Sequence, residues 1–299
     1  MRSLMSINAE HILRTSGYKK KVNGVESMAA YMEERRLANM NSVEIPHLYR
    51  MKSHVEKNEF SGMEVFYINK KTDKSDKHIL YLHGGGYIEQ PVIEHWIFLD
   101  KMAVGTGATI TMPVYPKAPD HQYKETFTLL LSLYKSILAD VDNKNVIFMG
   151  DSAGGGLALA LAQYLLEQEL PQPGKIILLS PWLDITMENK DNEALDSVDP
   201  SLGIYGLIQM GKAWAGDADP HNYMLSPING SVLGLGEMTL FVGSHEIFLA
   251  DALKFKALAE AQNVKINYIE YPEMNHVFPL YPIPEAKKAQ RQIIDIIKS

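Results

Sequence analysis

From about residue 75 onward, short apolar runs alternate with longer amphipathic stretches. The runs are Ile79 to Leu82, Ala108 to Val114, Val146 to Met149, Lys175 to Leu179, Met238 to Val242 and Ile266 to Glu270. Helical patterns lie between and after them: Val92 to Val104, Tyr123 to Asp140, Ala153 to Glu169, Leu249 to Gln262 and Pro284 to Lys298. Continuous apolar runs of strand length, separated by helix-length segments, predict strands buried on both faces of a parallel sheet. In the third helix Leu157, Leu161, Leu165 and Leu166 predict one apolar stripe against the sheet. Upstream, His54 to Glu59 and Met63 to Asn69 flank Phe60-Ser61-Gly62 and read as a strand pair with a tight turn.

Two stretches do not fit the alternation. Met1 to about Tyr49 is charged and helical in pattern, and about Ile185 to Met224 is rich in Gly, Asp and aromatic residues. Both are expected to cap the C-terminal edge of the sheet, where open α/β sheets bind ligands. The expected division is a cap segment over residues 1–50 and an α/β domain over 51–299, with a cap insertion at about 185–224.

The chain is 299 residues long, 46% hydrophobic and 22% charged, which suffices for a full core. A net charge of −7 argues against nucleic acid or an anionic membrane as partner. The absence of cysteine removes disulfides, thiol catalysis and thiolate metal sites, and suits a reducing cytoplasm. Met1 to Arg14 lacks the unbroken apolar stretch of a signal peptide, and no run of about eighteen apolar residues predicts stable membrane insertion. The expected location is cytoplasmic.

Gly150-Asp151-Ser152-Ala153-Gly154 stands between the run Val146 to Met149 and the helical stripe. A GxSxG match alone is weak; its place between strand and helix gives it meaning. Such a turn strains the serine backbone and exposes its hydroxyl, and glycines are needed where backbones crowd. A phosphate-binding turn is disfavoured, since no Walker lysine follows and the run is not GxGxxG. His83-Gly84-Gly85-Gly86-Tyr87 follows Ile79 to Leu82, about seventy residues before the serine. Acyl transfer builds negative charge on a carbonyl oxygen, which needs backbone N–H groups already aimed at it. Gly85, Gly86 and Ala153 are the expected donors, and His83 is expected to pin the loop.

At this point the sequence resembles the hormone-sensitive-lipase-like (HGGG) family of α/β-hydrolase esterases. The resemblance rests on His83 to Gly86, on Gly150 to Gly155, on Tyr115-Pro116-Lys117-Ala118-Pro119-Asp120-His121, similar to Tyr-Arg-Leu-Ala-Pro-Glu-His, and on Ser180-Pro181-Trp182-Leu183-Asp184. It covers roughly residues 75 to 298. It implies a mostly parallel eight-stranded sheet flanked by helices, a helical cap, and hydrolysis of short- to medium-chain acyl esters with no cofactor. The family's arginine is absent, with Pro116-Lys117 in its segment.

In α/β-hydrolases nucleophile, acid and base follow in that order, so only His221, His245 and His276 lie late enough. His276, in Tyr271-Pro272-Glu273-Met274-Asn275-His276-Val277-Phe278, is expected in a loop after the last strand and resembles the family's His-Gly-Phe. Gly243 to Asp251 offers two carboxylates, Glu246 and Asp251. Glu246 stands where the family generally has aspartate and is the preferred acid; Asp251 remains the alternative. His245-Glu246 is no zinc motif, because Leu249 replaces the second histidine of HExxH, and no metal is expected.

Tyr87, Trp182, Tyr205, Trp214 and Phe278 are candidate pocket walls. The expected partner is a small ester, and a homodimer is allowed. Two rival readings share the fold: an amidase, deacetylase or peptidase using the same three residues, and a ligand-binding homologue with a broken triad, against which the presence of His276 counts.

Overall fold

The computed structural model describes residues 2–71 and 76–299, and among these described residues there are ten α-helices and eight strands. Met1, where the expected cap segment begins, and residue 75, from which the alternation is read, lie outside the described residues. Three helices come first: α1 (Leu4–Thr15), α2 (Tyr18–Asn23) and α3 (Val25–Asn39). Then follow β1 (Val55–Phe60), β2 (Met63–Ile68), β3 (His78–Leu82), α4 (Ile93–Thr106), β4 (Thr109–Pro113), α5 (Tyr123–Asp140), β5 (Val146–Asp151) and α6 (Ala153–Glu167). The remainder is β6 (Lys175–Leu179), α7 (Asp191–Asp196), α8 (Ile204–Ala215), β7 (Glu237–His245), α9 (Leu249–Ala261), β8 (Ile266–Asn275) and α10 (Pro284–Lys298).

The strands form one sheet in the order β1-β2-β4-β3-β5-β6-β7-β8. β1 and β2 pair antiparallel, β2 joins β4 antiparallel, and the other neighbours are parallel. The hairpin closes over Ser61 (φ 51°) and Gly62 (φ 83°), the positive-φ pair whose twist matches that of the flanking strands. Side chains alternate across the central strands. Leu80, Leu82 and Phe148 face a core with α5 and α6, while Ile79, Tyr81, Ile147 and Met149 face a second core with α4 and α10. Both faces are therefore dry, as the uninterrupted apolar runs require.

Two elements depart from the sequence expectation. α6 is buried from Ala153 through Gln163 without a break, because other elements cover its outer side; it is a central helix, apolar all round rather than on one stripe. β7 and β8 run further than their apolar runs, through a register shift between Gly243 and His245. The segment expected as a loop before His276 is thus largely strand. β8 lies at the sheet edge, where Pro272 and polar residues are tolerated because one side needs no ladder bond.

The two stretches outside the alternation meet each other. Gly206 on α8 donates its N–H to Asn23 Oδ1 at 2.8 Å, and a side chain at Gly206 would lie 1.9 Å from the Val22 carbonyl oxygen. Lys19 Nζ donates to the carbonyl oxygens of Asp196 and Asp199, and Arg14 to that of Val198. Among the described residues, no helix is long and apolar enough to cross a membrane.

Candidate active site

Ser152 sits between the last residue of β5 and the first of α6, with φ 53° and ψ −124°. That conformation is sparsely populated for an L-residue and persists only where its surroundings hold it. Here the Ser152 N–H donates to the Leu179 carbonyl at 2.9 Å, and its own carbonyl accepts from Trp182 (2.9 Å) and Gly156 (3.1 Å). The motif's glycines answer to crowding. A Cβ at Gly154 would lie 2.0 Å from the Leu82 carbonyl oxygen, and one at Gly150 would lie 2.3 Å from that of Gly154.

His276, just past β8, brings Nε2 to 2.9 Å from Ser152 Oγ. Its Nδ1 lies 3.3 Å from Glu246 Oε2. All three side chains are buried, Glu246 completely. Burial opposes a charged imidazole, but the hydrogen bond and charge of Glu246, with Asp199 and Asp151 nearby, outweigh it and raise the His276 pKa above the ordinary histidine value. Burial pushes the Glu246 carboxyl up while the imidazole holds it back. Asp251 lies elsewhere: its carboxylate accepts from Asn189 (2.8 Å) and Asn192 (3.4 Å), binding the 185–224 stretch to α9. Of the late histidines, His221 is exposed between Asp219 and Glu188, and His245 bonds Glu10 of α1 at 3.2 Å.

The glycine loop is fastened to the serine turn by Asp151. Asp151 Oδ1 accepts from the Gly84 N–H (2.9 Å) and the Tyr81 hydroxyl (2.6 Å), and Oδ2 faces His95 Nε2 at 3.3 Å. Burial alone would raise the Asp151 pKa, yet His95, Tyr81 and Gly84 together lower it. His83 stacks on Tyr115 with ring centroids 4.6 Å apart, and its Nδ1 meets the Gly84 carbonyl at 2.7 Å. Burial drives its pKa well down, so it is a neutral ring packed behind the loop. Gly85 (φ 113°) and Gly86 (φ 59°) bend the loop around Ser152. Among the described residues, the N–H groups of Gly85, Gly86 and Ala153 have no protein acceptor. Three unspent donors thus border the serine, beside the positive end of the α6 dipole.

A cavity of about 200 Å³ opens over Ser152, His276, Gly85 and Gly86. Its apolar wall comes from α1, the 185–224 stretch and the residues after His276: Leu13, Leu202, Leu207, Met210, Val277 and Leu280. None of the five aromatic residues expected as pocket walls lines it. Tyr87 stacks on Trp214 (4.5 Å) and on Trp182 (5.5 Å), Trp182 stacks on Phe248, and the Phe248 ring edge meets His276 at 5.0 Å. Phe278 packs with Tyr271 in the α4–α10 core, and Tyr205 is half-buried against the α5–α6 core. The correction has a simple cause. A large flat ring stabilises most when fully buried, so aromatics beside the motifs became the backing of the site.

Asp199 is a site residue that sequence reading missed. Buried in the insertion, it accepts from the N–H groups of Ser201 (2.8 Å), Leu202 (2.9 Å) and Ile247 (3.0 Å), so it fixes the backbone next to Glu246. Asp199-Pro200-Ser201 carries the signature of an Asx turn, but nothing in the sequence brings it to residue 247.

The Abhydrolase_3 family, described as alpha/beta hydrolase fold, matches residues 79–280. An esterase from Acinetobacter venetianus is 31% identical over 225 residues, 74% of this chain and 74% of that protein. A triacylglycerol lipase from Mycobacterium tuberculosis is 31% identical over 218 residues, which are 73% of this chain but 45% of that relative. Among solved structures, a candidate esterase from Staphylococcus aureus has a TM-score of 0.91 at 33% identity, covering 96% of this chain and 98% of that one. A hormone-sensitive lipase from a metagenome library has a TM-score of 0.78 at 26% identity, covering 90% and 97%. With more than half its length matched, and with the sheet order and strand-to-helix serine turn described above, the chain belongs to the Abhydrolase_3 family of α/β-hydrolases, alongside the hormone-sensitive-lipase-like esterases.

Proposed function

We propose that this protein is a serine carboxylesterase acting on short- to medium-chain acyl esters, with Ser152 as nucleophile, His276 as general base and Glu246 as the orienting acid. The observation that carries the reading is the 2.9 Å approach of His276 Nε2 to Ser152 Oγ, beside three unspent backbone donors. An alkyl hydroxyl is a weak nucleophile at neutral pH, so a base within hydrogen-bond reach must take its proton during attack. As Ser152 Oγ bonds to the ester carbon, its proton passes to His276 Nε2. The carbonyl electron pair moves onto an oxygen held by the Gly85, Gly86 and Ala153 amides. Collapse expels the alcohol, which takes the proton from His276. Water then attacks the acyl-enzyme by the same route and releases the acid.

Residues 2–50 and 185–224 act in this reading as a two-part cap that supplies the apolar wall. The modest size of the cavity favours short acyl chains. A cytoplasmic setting is supported by the lack of cysteine.

The test is a panel of p-nitrophenyl esters from acetate upward, together with a fluorophosphonate probe. Labelling at Ser152, and turnover that falls on the order of a millionfold in Ser152→Ala, are expected. No labelling of the folded protein would favour a ligand-binding homologue.

A further inference from the structure

Building on the ester-hydrolysis reading above, we propose that Glu89 is a positioning residue, through which the N-terminal helices α2 and α3 hold the Gly85–Gly86 donor turn in place beside Ser152. The Gly85 carbonyl accepts the N–H groups of Ile88 (3.0 Å) and Glu89 (2.9 Å), so residues 85–89 make one tight turn. A Cβ at Gly85 would lie 2.8 Å from that of Glu89. Glu89 is thus packed directly against the first of the two glycine donors, and in a close-packed turn a shift of one is passed to the other.

The end of this turn is fastened to the N-terminal helices. Glu89 Oε1 accepts the hydroxyls of Tyr18, the first residue of α2 (3.0 Å), and of Tyr31 on α3. Asn39, the last residue of α3, donates its side-chain N–H to the neighbouring Ile88 carbonyl at 2.8 Å. Among the described residues no cation pairs with Glu89, and the two phenols are the side-chain partners of its carboxylate. Burial, reinforced by the charge of Glu89, raises both phenols above the ordinary tyrosine value, so both keep the protons they donate. Three hydrogen bonds from α2 and α3 therefore converge on two consecutive residues, three positions after Gly86.

Backbone donors stabilise a developing oxyanion only when their N–H bonds are already aimed at it, and one such donor is worth about a hundred- to a thousandfold in turnover. A turn loosened at Glu89 keeps its donors but loses part of their aim. Tyr31 gives a clean way to loosen it. Its side chain is 3% exposed and does not line the cavity over Ser152, so its hydroxyl reaches the reaction only through Glu89.

Steady-state kinetics on p-nitrophenyl butyrate test this, together with inhibition by trifluoromethyl butyl ketone, whose adduct on Ser152 carries the same charged oxygen. Tyr31→Phe should lower kcat about tenfold with KM within about twofold, and should weaken the ketone by a similar factor. Tyr134→Phe removes another buried hydroxyl, one bonded to the Pro171 carbonyl at 2.7 Å, and should leave kcat, KM and inhibition within about twofold whatever it does to the melting temperature. Glu89→Gln, which keeps an oxygen for both phenols, should retain kcat to within about threefold, while Glu89→Leu should lose about tenfold or more. Should Glu89→Leu fail to fold, Tyr31→Phe against Tyr134→Phe decides by itself. A raised KM at unchanged kcat in Tyr31→Phe, unaltered inhibition by the ketone, or an equal loss in Tyr134→Phe would overturn the role given to Glu89 while leaving the esterase reading intact. A wild-type chain that neither turns over the ester nor takes the fluorophosphonate at Ser152 would overturn both.

Discussion

Glu246 Oε2 lies 3.3 Å from Nδ1 of His276, while Asp251, about one helical turn onward, faces away to Asn189 and Asn192. The two carboxylates, one just past β7 and one in the first turn of α9, therefore have different partners, and their substitutions should separate too. Glu246→Gln keeps the shape but offers the imidazole an amide, so turnover should fall on the order of ten-thousandfold with little change in fold. Asp251→Asn sets amide against amide, costing about 1–3 kcal/mol of stability while turnover stays within roughly threefold. Ester kinetics beside thermal melts of both variants check this; the opposite pattern would exchange the two roles.

The pH profile follows from the same pair. In the proposed mechanism His276 must be neutral to take the Ser152 proton, and its pKa is raised above the ordinary histidine value, chiefly by Glu246 against the effect of burial. Activity should be lost as pH falls through that raised value, giving kcat/KM an acid limb above about 6.5. In Glu246→Gln the residual activity should show its limb at lower pH, since burial then acts without the carboxylate. A limb that stays in place would show that another group controls the profile.

Much of this was legible in the sequence because the constraints are local. The six apolar runs each became a strand parallel to a neighbour: burial on both faces keeps the central ones largely apolar, whereas the edge strand β8 also carries exposed polar positions. The glycines around Ser152 and after His83 were legible for a related reason: close backbone approach leaves only one residue type. What the sequence concealed depends on distant partners. Asp199 reaches the Ile247 amide, 48 positions further along the chain. Leu13 and Met210 line one cavity with Ser152 though nearly two hundred positions apart. The aromatic residues were misread because burial area, not nearness to a motif, decides where a ring goes.

Crowding at the serine turn makes a graded prediction about glycines. In Gly154→Ala the new Cβ would sit 2.0 Å from the Leu82 carbonyl oxygen, in backbone that cannot swing aside. The loss should reach about 4 kcal/mol or more, enough to leave little folded protein. Gly17→Ala meets nothing within 4 Å and has only its positive φ of 74° to strain it. That substitution should cost about 1–2 kcal/mol. Soluble yield and urea midpoints measure both, and comparable effects would mean that backbone contact does not limit this turn.

Acyl-chain preference should be set by α8, which supplies Leu207 and Met210 to the cavity wall. Met210 Sδ lies so close to Gly86 that a Cβ there would be 2.4 Å away, so this thioether borders the place where the reacting carbonyl must sit. While a bound chain still finds apolar wall, each added methylene contributes about 0.8 kcal/mol, or about fourfold in kcat/KM. Once the cavity is full the gain stops, because further carbons must displace packed side chains. Across p-nitrophenyl esters the wild type should therefore climb, peak at a short acyl chain and fall. Met210→Ala and Leu207→Ala enlarge the cavity and should move the peak to longer chains, while Leu207→Trp should move it towards acetate. A peak at the same length in all four proteins would mean that acyl chains bind somewhere other than against this helix.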